Sequence, residues 1–261
     1  MKLLKLFLVK IFRIEQFSCY LCVPMAMKTR LVALFACFFL GMVSPAKAQY
    51  ATNASRSELG LMVGGTYYIG DINRFMPYRN THLAGGLIYR FNLHPRAAIR
   101  ANFLYGKLSG EDSDSNLDQQ IQRNLSFSTD IWELSGGIEL NYFPFQIGND
   151  RYRGTAYLVA EMGLFRMNPK AIGENGSEVE LQPLGTEGQG TSLSDKSPYN
   201  LTQLVVPLGV GIKLSLGDKA GLNLEVGIRK TFTDYIDDIG SDSYVDPDLL
   251  AAENGPLAAT M

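Results

Sequence analysis

Residues 204–216 read LVVPLGVGIKLSL. The even positions are Leu204, Val206, Leu208, Val210, Ile212, Leu214 and Leu216. The odd positions are Val205, Pro207, Gly209, Gly211, Lys213 and Ser215. A period of two marks a β-strand with one apolar and one polar face. What the apolar face looks at, a protein core or lipid, decides the fold.

The same alternation occurs seven times, which predicts strands over about 58–71, 82–93, 98–108, 128–143, 155–166, 204–216 and 221–235. In the first, Leu59, Leu61, Val63, Tyr67 and Ile69 oppose Glu58, Gly60, Gly64 and Thr66. In the fourth, Trp132, Leu134, Ile138 and Leu140 oppose Glu133, Ser135, Glu139 and Asn141. In the seventh, Leu222, Leu224, Val226 and Ile228 oppose Asn223, Glu225, Gly227 and Arg229. No helical period of 3.6 stands out after residue 48, so the chain reads as all-β. The connections alternate too: those near 92–97, 143–154 and 216–220 are short or moderate, while those near 71–81, 109–127, 167–203 and from 236 onward are longer. Outer-membrane barrels are wired this way, with short periplasmic turns and long external loops. A Greek-key sandwich has no reason to keep that parity.

The polar face decides where the apolar one points. It is rich in Gly, Ser, Thr and Asn, and its charges balance: Arg90, Arg100, Lys213 and Arg229 against Glu133, Glu139, Glu161 and Glu225. Sparse, balanced charge suits a narrow interior where ions must pair. A solvated surface carries denser Lys and Glu. The apolar face is therefore expected to contact lipid. Phe91, Tyr142 and Tyr157 at one end, and Tyr67, Tyr105, Trp132 and Phe232 at the other, are read as two interfacial girdles. The expected fold is a small antiparallel transmembrane β-barrel, integral to the outer membrane with a periplasmic N-terminus.

The head of the chain differs in character. Its first 48 residues hold seven Lys/Arg and one Glu, so subtracting them from the totals of 24 and 26 leaves 17 basic against 25 acidic residues. Such an acidic remainder argues against a nucleic-acid partner. From Met27 the sequence MKTRLVALFACFFLGMVSPAKAQ has a positive start, an apolar run over 31–43 too short to cross a bilayer, and small residues before a cleavage point between Ala48 and Gln49. Residues 27–48 read as a secretory signal. Residues 1–26 are either upstream of the true start, at Met25 or Met27, or an extended n-region. Cys19, Cys22 and Cys37 all lie in this discarded part, so the exported chain, 49–261, has no disulfides.

Bacterial single-chain barrels have even strand numbers. Strands one and seven run the same way, and two unpaired edges are costly in lipid. The tail SDSYVDPDLLAAENGPLAATM (241–261) does not alternate. It reads as an external loop before an absent eighth strand, so a C-terminally truncated eight-strand plan is expected.

Particular segments carry a resemblance. ELGLMVGGTYYIGDIN (58–73), GLFRMNPKA (163–171), LQPLGTEGQG (181–190), LEVGIRKTFTDYIDDI (224–239) and AAENGPLAA (251–259) resemble the PorG-type outer-membrane proteins of Bacteroidota. The resemblance implies a non-enzymatic barrel of the type IX secretion system, the machinery tied to gliding motility, which contacts periplasmic components. Members of that family continue past NGPLAA into a final strand.

Little in the chain suggests catalysis. His82 and His94 fall at opposite ends of one strand, and no HExxH, Walker loop or Cys/His cluster appears. No catalytic residue, metal, cofactor or small-molecule substrate is expected. The acidic runs Asp234, Asp237, Asp238, Asp242, Asp246, Asp248 and Glu111, Asp112, Asp114, Asp118 lack the spacing of a calcium loop and read as solvated loops. GTEGQG (185–190) lacks the lysine and helix of a phosphate cradle and reads as a turn-rich loop. An eight-stranded interior is filled by side chains, so no conducting pore is expected. The periplasmic turn FPFQIGNDRYRG (143–154) is the candidate partner contact, through Phe145, Arg151, Tyr152 and Arg153. The alternative is a structural or adhesive barrel that works through its external loops.

Overall fold

The computed structural model describes residues 56–73, 76–173, 176–240 and 245–261. The upstream segment, the signal with its Ala48–Gln49 junction, the three cysteines and Asp242 lie outside the described residues.

The fold is all-β and antiparallel. Seven long strands follow one another across a single sheet: β1 (Ser57–Thr66), β2 (His82–His94), β3 (Ala97–Glu111), β4 (Ser126–Asn141), β5 (Gly154–Arg166), β8 (Thr202–Ser215) and β9 (Gly221–Thr231). A short hairpin, β6 (Lys170–Ile172) with β7 (Glu178–Glu180), branches from the β5–β8 loop and touches β4. Every long pair is antiparallel, and the β3–β4 ladder is the longest, from Ala97↔Leu140 to Glu111↔Ser126. The sheet curls into a half-barrel. Among the described residues β1 pairs only with β2 and β9 only with β8, so two edges remain open.

The alternation segregates as its period requires. On β8, Leu204, Leu208, Val210, Ile212 and Leu214 are exposed on the convex face, while Val205 and Lys213 are 1% exposed on the concave one. Leu61 is 83% exposed and Leu134 64%. Apolar packing is concentrated at the loop end of the curl, where Ile131, Phe165, Met167, Tyr199 and Val205 form one cluster and Tyr68, Ile72 and Phe127 another.

Among the described residues three short α-helices depart from the expectation of none: α1 (Asp118–Arg123), α2 (Pro247–Asn254) and α3 (Pro256–Thr260). Each has at most eight residues, too few to display a 3.6 period. Their signals are local. Asp246 caps α2 by accepting from the amides of Asp248 and Leu249, and Pro247 occupies the first turn. Asn124 ends α1 in the left-handed region at φ 52°. The tail is thus folded rather than loose. Leu250 and Ala258 are buried, and Asn254 donates to the Leu184 carbonyl at 2.9 Å. Among the described residues no helix is long and apolar enough to cross a membrane.

Candidate functional site

Alternation places one side chain in two on the concave face, and curling brings seven strands' worth of them together. The charges there form a single connected network. Glu139, 0% exposed on β4, is bridged by Arg90 of β2 at 2.8 Å, by Arg100 of β3 at 3.4 Å and directly by Lys213 of β8. Arg100 also faces Glu161 of β5 at 2.6 Å and Glu225 of β9 at 2.7 Å. Glu161 accepts from Asn102 at 2.6 Å and Ser135 at 2.9 Å; Ser135 also leans on Glu133 at 3.4 Å, which Arg229 reaches at 2.7 Å. Glu58 of β1 completes the set, 3.8 Å from Arg90.

Every long strand therefore contributes a charge. The eight charged residues singled out by parity are all brought together, and six of them are buried. Glu225 and Arg229 retain 31% and 39% side-chain exposure because they sit on the open edge strand β9. The arrangement also explains why the largest fully buried side chains include Arg100, Lys213, Glu133 and Glu139: each has a partner of opposite sign, without which burial would cost several kcal/mol.

Sequence reasoning left four participants out. Glu58, Asn102 and Ser135 stand on the polar face but were not counted as partners. Tyr157, expected in a girdle, is the fourth, and the structure corrects its place. It is 2% exposed on the concave face, donates to Glu225 at 2.8 Å, and has the Lys213 ammonium 5.0 Å from its ring centre. The available signal was its spacing of four from Glu161, which puts both on one strand face. Of the other aromatics, Tyr105, Trp132, Tyr142 and Phe232 are exposed on the convex face, with Tyr105 and Trp132 rings 4.5 Å apart.

The turn over residues 142–153 closes the opposite end. Phe145 is 7% exposed, with its amide bonded to the Pro95 carbonyl at 2.9 Å and its ring 5.2 Å from Lys213. It is a plug, so it does not belong to an outward contact surface; an apolar ring over a buried ammonium is better placed inside. Arg151 and Arg153 are exposed and Tyr152 is half-buried. Among the described residues Arg153 pairs with Asp150 alone, which is itself 90% exposed, and Arg151 lies 5.8 Å from the Tyr152 ring. Such an exposed pair is held by at most about 1 kcal/mol and can be exchanged for a partner's acid.

The acidic runs are solvated only in part: Glu111, Asp118, Asp234, Asp246 and Asp248 are exposed, but four other acids are held in the fold. Asp112 is fully buried, gripped by Arg123 at 2.7 and 2.8 Å and by the Leu125 amide at 3.0 Å. Asp114 binds Arg79 and Asn80. Asp237 and Asp238 are buried as well. These acids staple loops, a role that requires partners far along the chain and leaves no local spacing to read. Among the described residues no group of three or more His, Cys, Asp or Glu could hold a metal ion. Gly185, Gly188 and Gly190 take φ of 56°, 77° and 77°, the left-handed turns that glycine allows.

His82 and His94 do sit at opposite ends of β2. His82 Nε2 lies 2.6 Å from Ser109 Oγ, a contact the sequence reading did not foresee. Among the described residues no carboxylate is hydrogen-bonded to His82, the partner that orients the base in a nucleophile relay.

A family model described as "Domain of unknown function (DUF6089)" matches residues 30–185, more than half of the chain. No curated protein and no solved structure matches.

Proposed function

We propose that this chain, which belongs to the DUF6089 family, is a non-enzymatic outer-membrane β-barrel that serves the type IX protein secretion machinery through contacts at its short-turn, periplasmic face. One observation carries the membrane part: the molecule is inverted relative to a water-soluble one, with ions from all seven long strands paired inside and strand leucines 41–83% exposed outside. In water such a convex face would be an aggregation surface far larger than monomers tolerate. In lipid it is the stable arrangement, because the ladders satisfy the backbone and the ions stay with one another. The working form follows an eight-strand plan, in which one strand antiparallel to both β1 and β9 removes the open edges. Its interior, crossed by the charge network and plugged by Phe145, conducts no ions.

The secretion part rests on the resemblance of the loop-end and tail segments and on the exposed Arg151 and Arg153, which suit an acidic periplasmic partner. Replacing both by alanine is expected to weaken co-purification of the secretion components while leaving the barrel in the outer-membrane fraction. Unchanged co-purification and cargo secretion would overturn the turn-contact reading. Absence of the wild-type protein from that fraction would overturn the membrane reading. The adhesive alternative is favoured by the folded mass at the loop end, where the β6–β7 hairpin and α2–α3 pack. Shaving the external loops with protease separates the two: lost secretion favours the loops, and unaffected secretion the turns.

A further inference from the structure

We infer that Asp237 and Asp238 form a proton-dependent latch that holds the loop end of the barrel closed in acid and releases it as they ionise. The latch joins three segments distant in sequence. Tyr68, just past β1, donates to Asp237 Oδ2 at 2.5 Å, and the Ile239 amide reaches Oδ1 at 3.3 Å. Tyr199, just before β8, donates to Asp238 Oδ1 at 2.5 Å, while Thr186 of the β7–β8 loop donates to Oδ2 at 2.5 Å. The two acids are 3% and 6% exposed. Below them Ile236 packs against both apolar clusters of the loop end, so the segment after β9 is the keystone of the lid.

The partners are what make it titratable. Among the described residues neither carboxylate is bridged by a cation; both are met by neutral hydroxyls and amides. The charged neighbours are mostly acids, Asp71 facing Asp237 and Glu187 facing Asp238. The nearby cation, Lys196, is taken up by Glu187 at 3.9 Å and the Gly240 carbonyl at 3.1 Å, with the Tyr235 ring at 5.8 Å. Burial, reinforced by Asp71, pushes Asp237 up to about 7; burial, reinforced by Glu187, pushes Asp238 up to about 6. Asp238 also sits on a left-handed backbone, at φ 64°, which the closed contacts must hold. An acid whose pKa is raised by closure binds its proton more tightly in the closed state. Closure is therefore favoured below the ordinary carboxylate range and weakens as pH rises through 6 to 7.

The test is amide hydrogen exchange of residues 181–199 and 233–240 in the detergent-solubilised chain, expressed as protection factors so that the intrinsic pH dependence cancels. Protection is expected to fall at least ~tenfold between pH 5 and pH 8. In Asp237→Asn/Asp238→Asn, which like the protonated acids leaves one acceptor oxygen on each side chain and makes the other position a donor that a hydroxyl can turn to accept, it is expected to stay near its pH 5 level at both. Protection in the wild type that does not change with pH, or a fall in the Asn variant equal to the wild type's, would overturn the latch. If the double variant does not fold, Asp238→Asn alone is expected to cut the logarithmic fall by about a third, and no reduction there would count equally against it.

Discussion

Glu139→Gln tests the network at its hub. Glu139 is fully buried and answers three cations. After the substitution Arg90 keeps Glu58, and Arg100 keeps Glu161 and Glu225. Lys213, 1% exposed, keeps no other carboxylate within salt-bridge reach among the described residues, only the rings of Tyr157 and Phe145 at 5.0 and 5.2 Å. Stranding a buried charge in this way costs about 3–5 kcal/mol. Lys213→Met alone leaves Glu139 with two guanidiniums, so its cost is that of lost hydrogen bonds, about 1–2 kcal/mol. The double variant buries no stranded ion and is expected to lose less than Glu139→Gln does, which gives a coupling above ~1.5 kcal/mol in a double-mutant cycle. Urea unfolding in lipid vesicles, followed by emission of Trp132, the sequence's one tryptophan, measures all four corners. A cost for Glu139→Gln below ~1 kcal/mol, or simple additivity in the double variant, would refute the network as a unit.

Two further outcomes are expected. Leu134→Arg, at mid-strand on the convex face, should cost about 2–4 kcal/mol in the same vesicles if that face meets lipid; a change within ~0.5 kcal/mol, the range of a surface substitution in water, would speak against it. Cysteines at Leu61 on β1 and Val226 on β9 should not form a disulfide if the eighth strand proposed above lies between the edges, since it would hold them about 10 Å apart, two strand spacings, against the ~4 Å between Cβ atoms that a disulfide needs. A spontaneous bond there, or with Leu59 or Val63 to cover other registers, would mean that β1 and β9 meet directly.

What the sequence made legible was whatever a strand face can carry by itself. All seven long strands were found, and β8 and β9 begin within two residues of the expected positions, because a period of two repeated over ten residues leaves one register that segregates Leu from Glu. The eight charges came from the same parity. Their partners did not, since Arg100 and Glu225 are 125 residues apart, and nothing in either strand says which residue the curl brings opposite. Tyr157 is hard to place for a related reason: an aromatic near a strand end fits both a girdle and an interior, and only its parity distinguishes them.

The loop end shows the limit most clearly. Alternation continues past Thr66 through Tyr67 and Ile69, and past Thr231 toward Tyr235, so both strands were expected to run about four or five residues longer than they do. They stop because continuing would place Tyr68 and Asp237 on ladders. Instead the chain bends inward at both places, and the two side chains bond across 169 residues of sequence. A ladder hydrogen bond contributes about 1 kcal/mol. The alternative here gains a buried carboxylate contact together with the packing of buried Ile72 and Phe127, each large apolar group contributing roughly 1.5–3 kcal/mol when fully buried, and a smaller gain from half-buried Ile236 and Ile239. Burial of side chains from distant segments therefore outweighs the local pattern at this end, whereas along the barrel wall burial and local pattern agree. That difference is why the wall can be read from single segments and the lid cannot. It also sets the lid apart from the wall energetically: its closure depends on two acids whose charge changes near neutral pH, while the wall rests on ladders and paired ions.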